Sequence, residues 1–135
     1  MTKVNTIVHI DEPILAHILA KDPRIEAAYL LGSAARNEMH PGSDVDIAVI
    51  PVKEIEIDDV ARVLLGSELS FATGCTVDLG VMSSRNLVYA REAVLTGRRI
   101  FVRDKTVADT AVASLLGMYA AFNEDRAEVL HAYSA

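Results

Sequence analysis

The stretch Asp44 to Ile50, with the sequence DVDIAVI, constrains the fold more than any other part of the chain. Its apolar and polar residues alternate. On a β-strand, the three β-branched residues at positions 45, 47 and 49 would therefore share one face, while Asp44 and Asp46 share the other. The apolar face needs a core to cover it, and Pro51 ends the run. We therefore expect one strand of a sheet, with its carboxylates on the face opposite the core.

Strand and helix patterns alternate along the rest of the chain. Helices are predicted at 11–20, 33–39, 58–69, 84–96 and 106–133, and strands at 25–31, 44–50, 76–82 and 98–102. Such an order predicts an α/β or α+β fold, in which helices pack on a sheet. A length of 135 residues suits one domain with its own core, and we assign residues 1–135 to it, with the core at about 25–104.

Two of these helices carry predicted apolar faces. The helix at 58–69 would turn Val60, Val63 and Leu64 inward. The C-terminal helix is expected to be long, with a possible break near Gly117 or Asn123. Its apolar stripe is wide for so small a domain, which suggests a second burial partner, either another copy of the chain or a different protein.

Composition excludes several classes of function. The formal net charge of −6 argues against a nucleic-acid binder that neutralises phosphates, so no direct nucleic-acid partner is expected. The single cysteine, Cys75, excludes an internal disulfide framework and a cysteine-based zinc site. There is no apolar run long enough to cross a membrane, and no signal-peptide core at the N-terminus. We expect a cytoplasmic protein without a membrane partner.

The carboxylates on the DVDIAVI strand predict a metal site. Two like charges this close raise one pKa unless a cation lies between them, and oxygen ligands suit Mg²⁺. Asp78, in the strand pattern TVDLGVM, also leaves its core face, and Gly80 follows on the same side, where it would leave space for a ligand. If the two strands are neighbours, Asp44, Asp46 and Asp78 converge as a two-metal phosphoryl or nucleotidyl transfer site requires. Alternatively, each is an exposed strand carboxylate.

The pair Gly32–Ser33 follows a predicted strand and precedes a predicted helix. A phosphate could approach the backbone closely at such a position, and the serine hydroxyl would add a donor. Arg36, one turn further on, could reach a phosphate oxygen. Taken alone, however, the pair would be read as a simple turn, and Arg36 as a solvated surface arginine.

These residues together resemble a known family. Gly32–Ser33, ten intervening residues and then Asp44-Val45-Asp46 match the GS-x10-DxD signature of the DNA polymerase β-like nucleotidyltransferase superfamily. The form LLGSAAR…GSDVDIAVI is similar to its minimal nucleotidyltransferase (MNT) branch, and VDLGVM aligns with the strand that carries the third aspartate. One departure is Asn37, where the family often has glycine.

The resemblance implies the nucleotidyltransferase fold, with a small mixed sheet, and transfer of AMP from ATP with loss of pyrophosphate. Gly32 and Ser33 would hold the phosphates, and Asp44, Asp46 and Asp78 would bind two Mg²⁺ ions. Asp78 would also help to activate the acceptor hydroxyl. Many members are antitoxins beside a helical HEPN ribonuclease toxin, and one branch transfers AMP to a tyrosine of that toxin.

Two alternatives remain open at the level of the sequence. The chain could modify a small molecule, as the aminoglycoside nucleotidyltransferases do, although those carry an extra domain for which 135 residues leave little room. It could also be an antitoxin that acts by binding alone, with a vestigial metal site. The sequence names neither the acceptor hydroxyl nor the preferred nucleotide.

Overall fold

The computed structural model describes residues 6–134, which form five helices and four strands within that range. In chain order these are α1 (Glu12–Lys21), β1 (Ile25–Leu30), α2 (Gly32–Ala35), β2 (Val45–Pro51), α3 (Asp59–Thr73), β3 (Val77–Val81), α4 (Leu87–Thr96), β4 (Arg98–Val102) and α5 (Lys105–Ser134). The predicted alternation of strands and helices is confirmed.

The four strands form one mixed sheet in the order β3-β2-β1-β4. β1 runs antiparallel to both β2 and β4, whereas β2 and β3 are parallel. The parallel pair is joined through α3, the crossover helix that such a connection requires. The strand that carries Asp78 is thus the neighbour of the DVDIAVI strand. This adjacency is the condition on which the predicted metal site depends.

Local signals in the sequence set several helix ends. The Asp11 carboxylate accepts a hydrogen bond of 3.2 Å from the Ile14 N–H at the start of α1, and Asp58 accepts one of 2.8 Å from the Ala61 N–H at the start of α3. Both cap backbone donors that have no partner within the helix. α3 ends at Gly74, whose φ of 72° is the left-handed conformation that glycine adopts without strain.

The sheet has a core on each face. On one face, α1 and α3 pack against β1, β2 and β3, and the largest fully buried residues there are Leu15, Leu19, Ile25, Leu30, Met39, Ile47 and Leu69. On the other face, small residues of α4 and α5 pack against Ala48, Ile50 and Met82. The face that carries Asp46 is therefore covered along most of β2, and only its first residues remain open.

The predicted inward face of α3 is wrong. Val60, Val63 and Leu64 are 67%, 56% and 65% exposed, whereas Leu65 and Leu69 are buried. The helix runs on to Thr73, and its buried face is formed by Leu65, Gly66 and Leu69, with Ala61 packed against the same core. Its N-terminal apolar residues consequently lie on the surface.

α5 is continuous from Lys105 to Ser134, without the break considered near Gly117 or Asn123. Its first half packs on the sheet and on α4, where Ala108 and Leu115 are buried. From residue 120 to 133 every side chain is exposed. Among the residues that the structure describes, no helix is long and apolar enough to cross a membrane.

The turn between α1 and β1 depends on Asp22. Its carboxylate accepts hydrogen bonds from the Arg24 backbone N–H (3.0 Å), from Nε (2.9 Å) and from Nη2 (2.7 Å). The side chain is only 11% exposed, so these charge-assisted bonds are shielded from water. Arg103 closes the same turn, because its guanidinium donates to the carbonyls of Ala20, Asp22 and Ile25.

We expect Asp22→Asn to lower the free energy of unfolding at pH 7 by about 1–2 kcal/mol. The Arg24 hydrogen bonds hold the pKa of the Asp22 carboxyl below its usual value. The stabilisation is thus present above the unfolded pKa of about 4 and is lost as the pH falls through the folded value. Urea unfolding at pH 7 and pH 3 should show the difference between wild type and variant shrinking in acid. A difference that is unchanged by pH would contradict this, and Asp125→Asn, at an exposed site on α5, is the control.

Candidate active site

The three predicted metal ligands lie at the start of β2 and of the neighbouring strand β3. Asp44 directly precedes this strand, and Asp46 is the exposed residue between buried Val45 and Ile47. The β2–β3 register pairs Asp46 with Asp78. Neighbouring strands lie about 4.8 Å apart, so these two carboxylates leave the same face of the sheet side by side. The strand alternation and the pairing thus bring Asp46 and Asp78 side by side, and Asp44 lies just outside the strand.

The site is electrostatically strained without a cation. Partial burial, and then the negative charges of Asp78 and Asp44, raise the pKa of the Asp46 carboxyl above its usual value. The two neighbouring charges thus make the ionised form of Asp46 less favourable. A positive ion among them would reverse this effect.

A cavity of about 360 Å³ opens over the carboxylates. It is lined by Leu31, Asp46, Asp78, Leu79, Gly80, Val81, Asn86 and Tyr89. Gly80 lines this cavity, but Tyr89, and not a ligand, occupies the space that a side chain at Gly80 would take, contrary to the sequence-based expectation. A Cβ at this position would lie 2.0 Å from the Tyr89 hydroxyl oxygen, so the phenol of α4 rests directly on the glycine backbone. The absence of a side chain at Gly80 makes room for Tyr89.

A backbone hydrogen bond connects the Gly32–Ser33 turn to the strand that carries Asp46. The Leu31 N–H, immediately before the turn, donates a hydrogen bond of 2.9 Å to the carbonyl of Asp46. Within residues 6–134, the N–H groups of Gly32 and Ser33 have no hydrogen-bond acceptor. Gly32 has a φ of 59°, a left-handed conformation that L side chains rarely adopt. Two unpaired donors therefore follow directly after Leu31, which lines the carboxylate cavity.

The helix after this turn is shorter than predicted. α2 has four residues, Gly32–Ala35, instead of the expected 33–39, and its dipole is correspondingly small. A phosphate here would be held by the N–H groups of the turn and the serine hydroxyl, with little help from a helix. Asn37, at the family's usual glycine position, has a φ of 56°, which asparagine tolerates better than most residues. The departure from the family pattern thus keeps the turn geometry.

Arg36 lies outside the cavity. Its guanidinium is exposed and donates to the Glu38 carboxylate at 3.0 Å. A phosphate contact by Arg36 would require this surface pair to open, which costs little because exposed ion pairs contribute less than about 1 kcal/mol. Its role in phosphate binding remains a prediction.

Arg98 was not identified as a site residue from the sequence, although its side chain donates hydrogen bonds to the short helix that follows the turn. Its Nε and Nη2 donate to the carbonyls of Ala35 and Ala34, each at 3.4 Å, and it forms an ion pair with Glu12. The Ala34 carbonyl also accepts from the Asn37 N–H at 3.3 Å, whereas Ala35 is one of the last residues of the helix, whose carbonyls have no partner within it. No local motif marks such a residue, because the contact spans more than sixty positions of the chain.

The donor set fits a hard divalent ion, but the protein does not supply a closed cage for one. Among residues 6–134, no three His, Cys, Asp or Glu side chains lie close enough together to bind a single ion. Mg²⁺ typically takes one or two carboxylates and completes its octahedron with substrate phosphates and water. Paired carboxylates that repel each other beside free phosphate donors match this mode of binding.

Comparison with known proteins agrees with the geometry. Residues 14–106 match the model of the polymerase beta nucleotidyltransferase family. The protein adenylyltransferase MntA of Shewanella oneidensis is 32% identical over 79 residues, which are 58% of this chain and 55% of MntA. The chain thus spans about half the length of this curated relative.

Two solved structures share the fold. A toxin–antitoxin crystal structure with AMP-PNP superposes with a TM-score of 0.73 at 24% identity, covering 93% of this chain and 99% of the other. A tri-AMPylated Shewanella oneidensis HEPN toxin in complex with an MNT antitoxin gives a TM-score of 0.70 at 23% identity, covering 92% and 96%. On the family match, which spans more than half of its residues, the chain belongs to the polymerase beta nucleotidyltransferase family.

Proposed function

We propose that this protein is a Mg²⁺-dependent adenylyltransferase that transfers AMP from ATP to a tyrosine hydroxyl of a HEPN-type toxin, and so acts as an antitoxin in the cytoplasm. The observation that carries the proposal is the β2–β3 register, which pairs Asp46 with Asp78 beside the Gly32–Ser33 turn. Three carboxylates that repel one another, next to two unpaired N–H donors, are unfavourable on a sheet surface. Such arrangements are typical of functional sites.

Each group has a role in the transfer. Two Mg²⁺ ions held by Asp44, Asp46 and Asp78 would neutralise phosphate charge and lower the pKa of the acceptor hydroxyl. Gly32 and Ser33 hold the triphosphate through their N–H groups and the serine hydroxyl, and Arg36 adds a charged donor. The acceptor oxygen attacks the α-phosphorus, its proton passes to Asp78, and the bond to the β-phosphate breaks to release pyrophosphate.

The choice of ATP and of a protein acceptor follows the relatives. MntA is named for protein adenylyl transfer, and the two solved structures contain an ATP analogue and an AMPylated toxin. The second half of α5 suits a protein partner, because it projects from the domain with Phe122, Leu130 and Tyr133 exposed. A toxin would cover this surface, and a second copy of the chain is the alternative occupant.

The test is incubation of the purified protein with radiolabelled ATP, Mg²⁺ and the HEPN toxin encoded beside it. We expect label on the toxin and loss of its ribonuclease activity. Absence of transfer with Mg²⁺, Mn²⁺ or Co²⁺ would refute the proposal. Pyrophosphate release that depends on a hydroxylated small molecule would favour the small-molecule reading. Full neutralisation of the toxin by the double variant Asp44→Ala and Asp46→Ala would favour binding alone.

A further inference from the structure

Tyr89 stands between two hollows on the surface of the domain. One is the carboxylate cavity, and the other is a groove of about 680 Å³ between the start of α4 and Phe122 of α5. Asn86 and Tyr89 line both. We call the second hollow the α4–α5 groove, and its lining residues are Ser84 to Tyr89, Glu92 and Phe122. The two hollows thus lie on either side of Asn86 and Tyr89.

The two residues at this junction differ in what they can offer a ligand. The Asn86 side chain is engaged, because it accepts from the Ser83 N–H at 2.8 Å and donates to the Val81 carbonyl at 2.8 Å. The Tyr89 hydroxyl has no hydrogen-bond partner among residues 6–134, although its ring is packed on Gly80. A hydroxyl held in place but unpaired is available to a substrate group.

The strand order places the Tyr89 hydroxyl on the side of Asp46 that is opposite the Gly32–Ser33 turn. The Gly32–Ser33 turn follows β1 and Tyr89 covers β3, while β2 with Asp46 lies between them. In phosphoryl transfer, the attacking and leaving oxygens lie roughly in line on opposite sides of the phosphorus. If the departing pyrophosphate is held at the turn, the acceptor hydroxyl must approach from the Tyr89 side.

We infer that the α4–α5 groove binds the acceptor segment of the protein substrate and that Tyr89 contacts the acceptor residue. This inference rests on the proposed function and names where its second substrate lies. Leu87, Val88 and Phe122 give the groove apolar walls, and Val88 and Phe122 are 58% and 44% exposed. Such walls suit the ring of a tyrosine acceptor, whose hydroxyl would reach the carboxylates past Tyr89.

Kinetics with the toxin as acceptor test the assignment. Phe122→Ala and Tyr89→Leu should each raise the KM for the toxin roughly fivefold or more, the effect of losing one good interface contact. The KM for ATP should change less than twofold. Tyr89→Phe keeps the ring and separates the effect of the hydroxyl. Phe71→Ala is the matched control, because Phe71 is 93% exposed on α3, which packs on the opposite face of the sheet.

Two kinetic outcomes would overturn the inference while leaving the proposed function intact. One is transfer in which neither variant alters the KM for the toxin. The other is a rise in the KM for ATP alone, which would assign the groove to the nucleotide.

A second measurement tests whether the groove binds an acceptor, even if the wild-type protein transfers AMP to none. N-acetyl-tyrosinamide is titrated into the protein with AMP-PNP and Mg²⁺, and the amide signals are followed by NMR. Shifts at residues 84–92 and at Phe122 support the groove. Shifts confined to residues 31–36, or no shifts at all, would overturn the assignment of the α4–α5 groove to the acceptor.

Discussion

Replacing Asp46 with asparagine should abolish AMP transfer without weakening the fold. We expect kcat to fall by about 10³-fold or more, equivalent to roughly 4 kcal/mol of transition-state stabilisation. Asp46 is the central carboxylate, because it is paired with Asp78 across the parallel strands and lies two residues from Asp44. Asparagine keeps the shape of the side chain but removes the charge that a divalent ion requires.

The stability of the same variant should move in the opposite direction from its activity. Partial burial and then the charges of Asp78 and Asp44 raise the pKa of Asp46, so the ionised carboxylate is less favourable in the folded state than in the unfolded state. A neutral amide removes this repulsion. The melting temperature should thus be equal to or above that of wild type, and added Mg²⁺ should raise it in wild type more than in the variant.

Two assays check these expectations. Radiolabel transfer measures kcat, and thermal unfolding with and without Mg²⁺ measures stability. Asp125→Asn, an exposed position in the second half of α5, should behave as wild type in both. A variant at Asp46 that retained more than a tenth of wild-type kcat would show that this carboxylate does not hold the metal.

Gly32→Ala should lower kcat/KM for ATP by about 10- to 100-fold, comparable to the loss of a hydrogen-bond donor to a developing charge. A Cβ at Gly32 would meet no atom within 4 Å, so there is no steric clash. The cost comes from the φ of 59°, which disfavours an L side chain by roughly 1–2 kcal/mol. The turn would relax toward negative φ and carry its free N–H donors away from the phosphate.

Gly117→Ala is the matched control for this substitution. Gly117 lies within α5, and a Cβ there also has nothing within 4 Å. Because its backbone is helical, alanine should stabilise the protein by about 1 kcal/mol and leave kcat/KM unchanged. Urea unfolding and steady-state kinetics on both variants separate the two cases. Equal kinetics for the two alanine variants would mean that the turn does not contact the nucleotide.

The position of Asp46, the central candidate carboxylate, could be predicted because it depends on a short-range rule. Side chains on a strand alternate, so Asp46 had to lie on the face opposite Val45 and Ile47, whereas Asp44 directly precedes the strand. The GS-x10-DxD spacing then indicated the turn that belongs beside them. The pairing of Asp46 with Asp78 required in addition that β3 lie next to β2, which the spacing alone did not establish.

The predicted inward face of α3 and the predicted open space at Gly80 were wrong for physical reasons. Val60, Val63 and Leu64 were assigned to the core because they are apolar, but α3 is longer than predicted and turns Leu65 and Leu69 to the sheet. Gly80 was read as open space, although it is where α4 brings its tyrosine against the strand. In both cases the contact depends on how a helix is placed, and residue type alone does not carry that information.

The sequence by itself thus determined the order of the elements, the position of Asp46 on the face opposite Val45 and Ile47, and the Gly32–Ser33 turn, since each follows from neighbours within about fifteen residues. Only the tertiary structure decided that Arg98 supports the turn and that Tyr89 covers Gly80. It also decided that the far half of α5 is left uncovered. These contacts join elements that the chain separates, and they arise from how the helices pack on the two faces of the sheet.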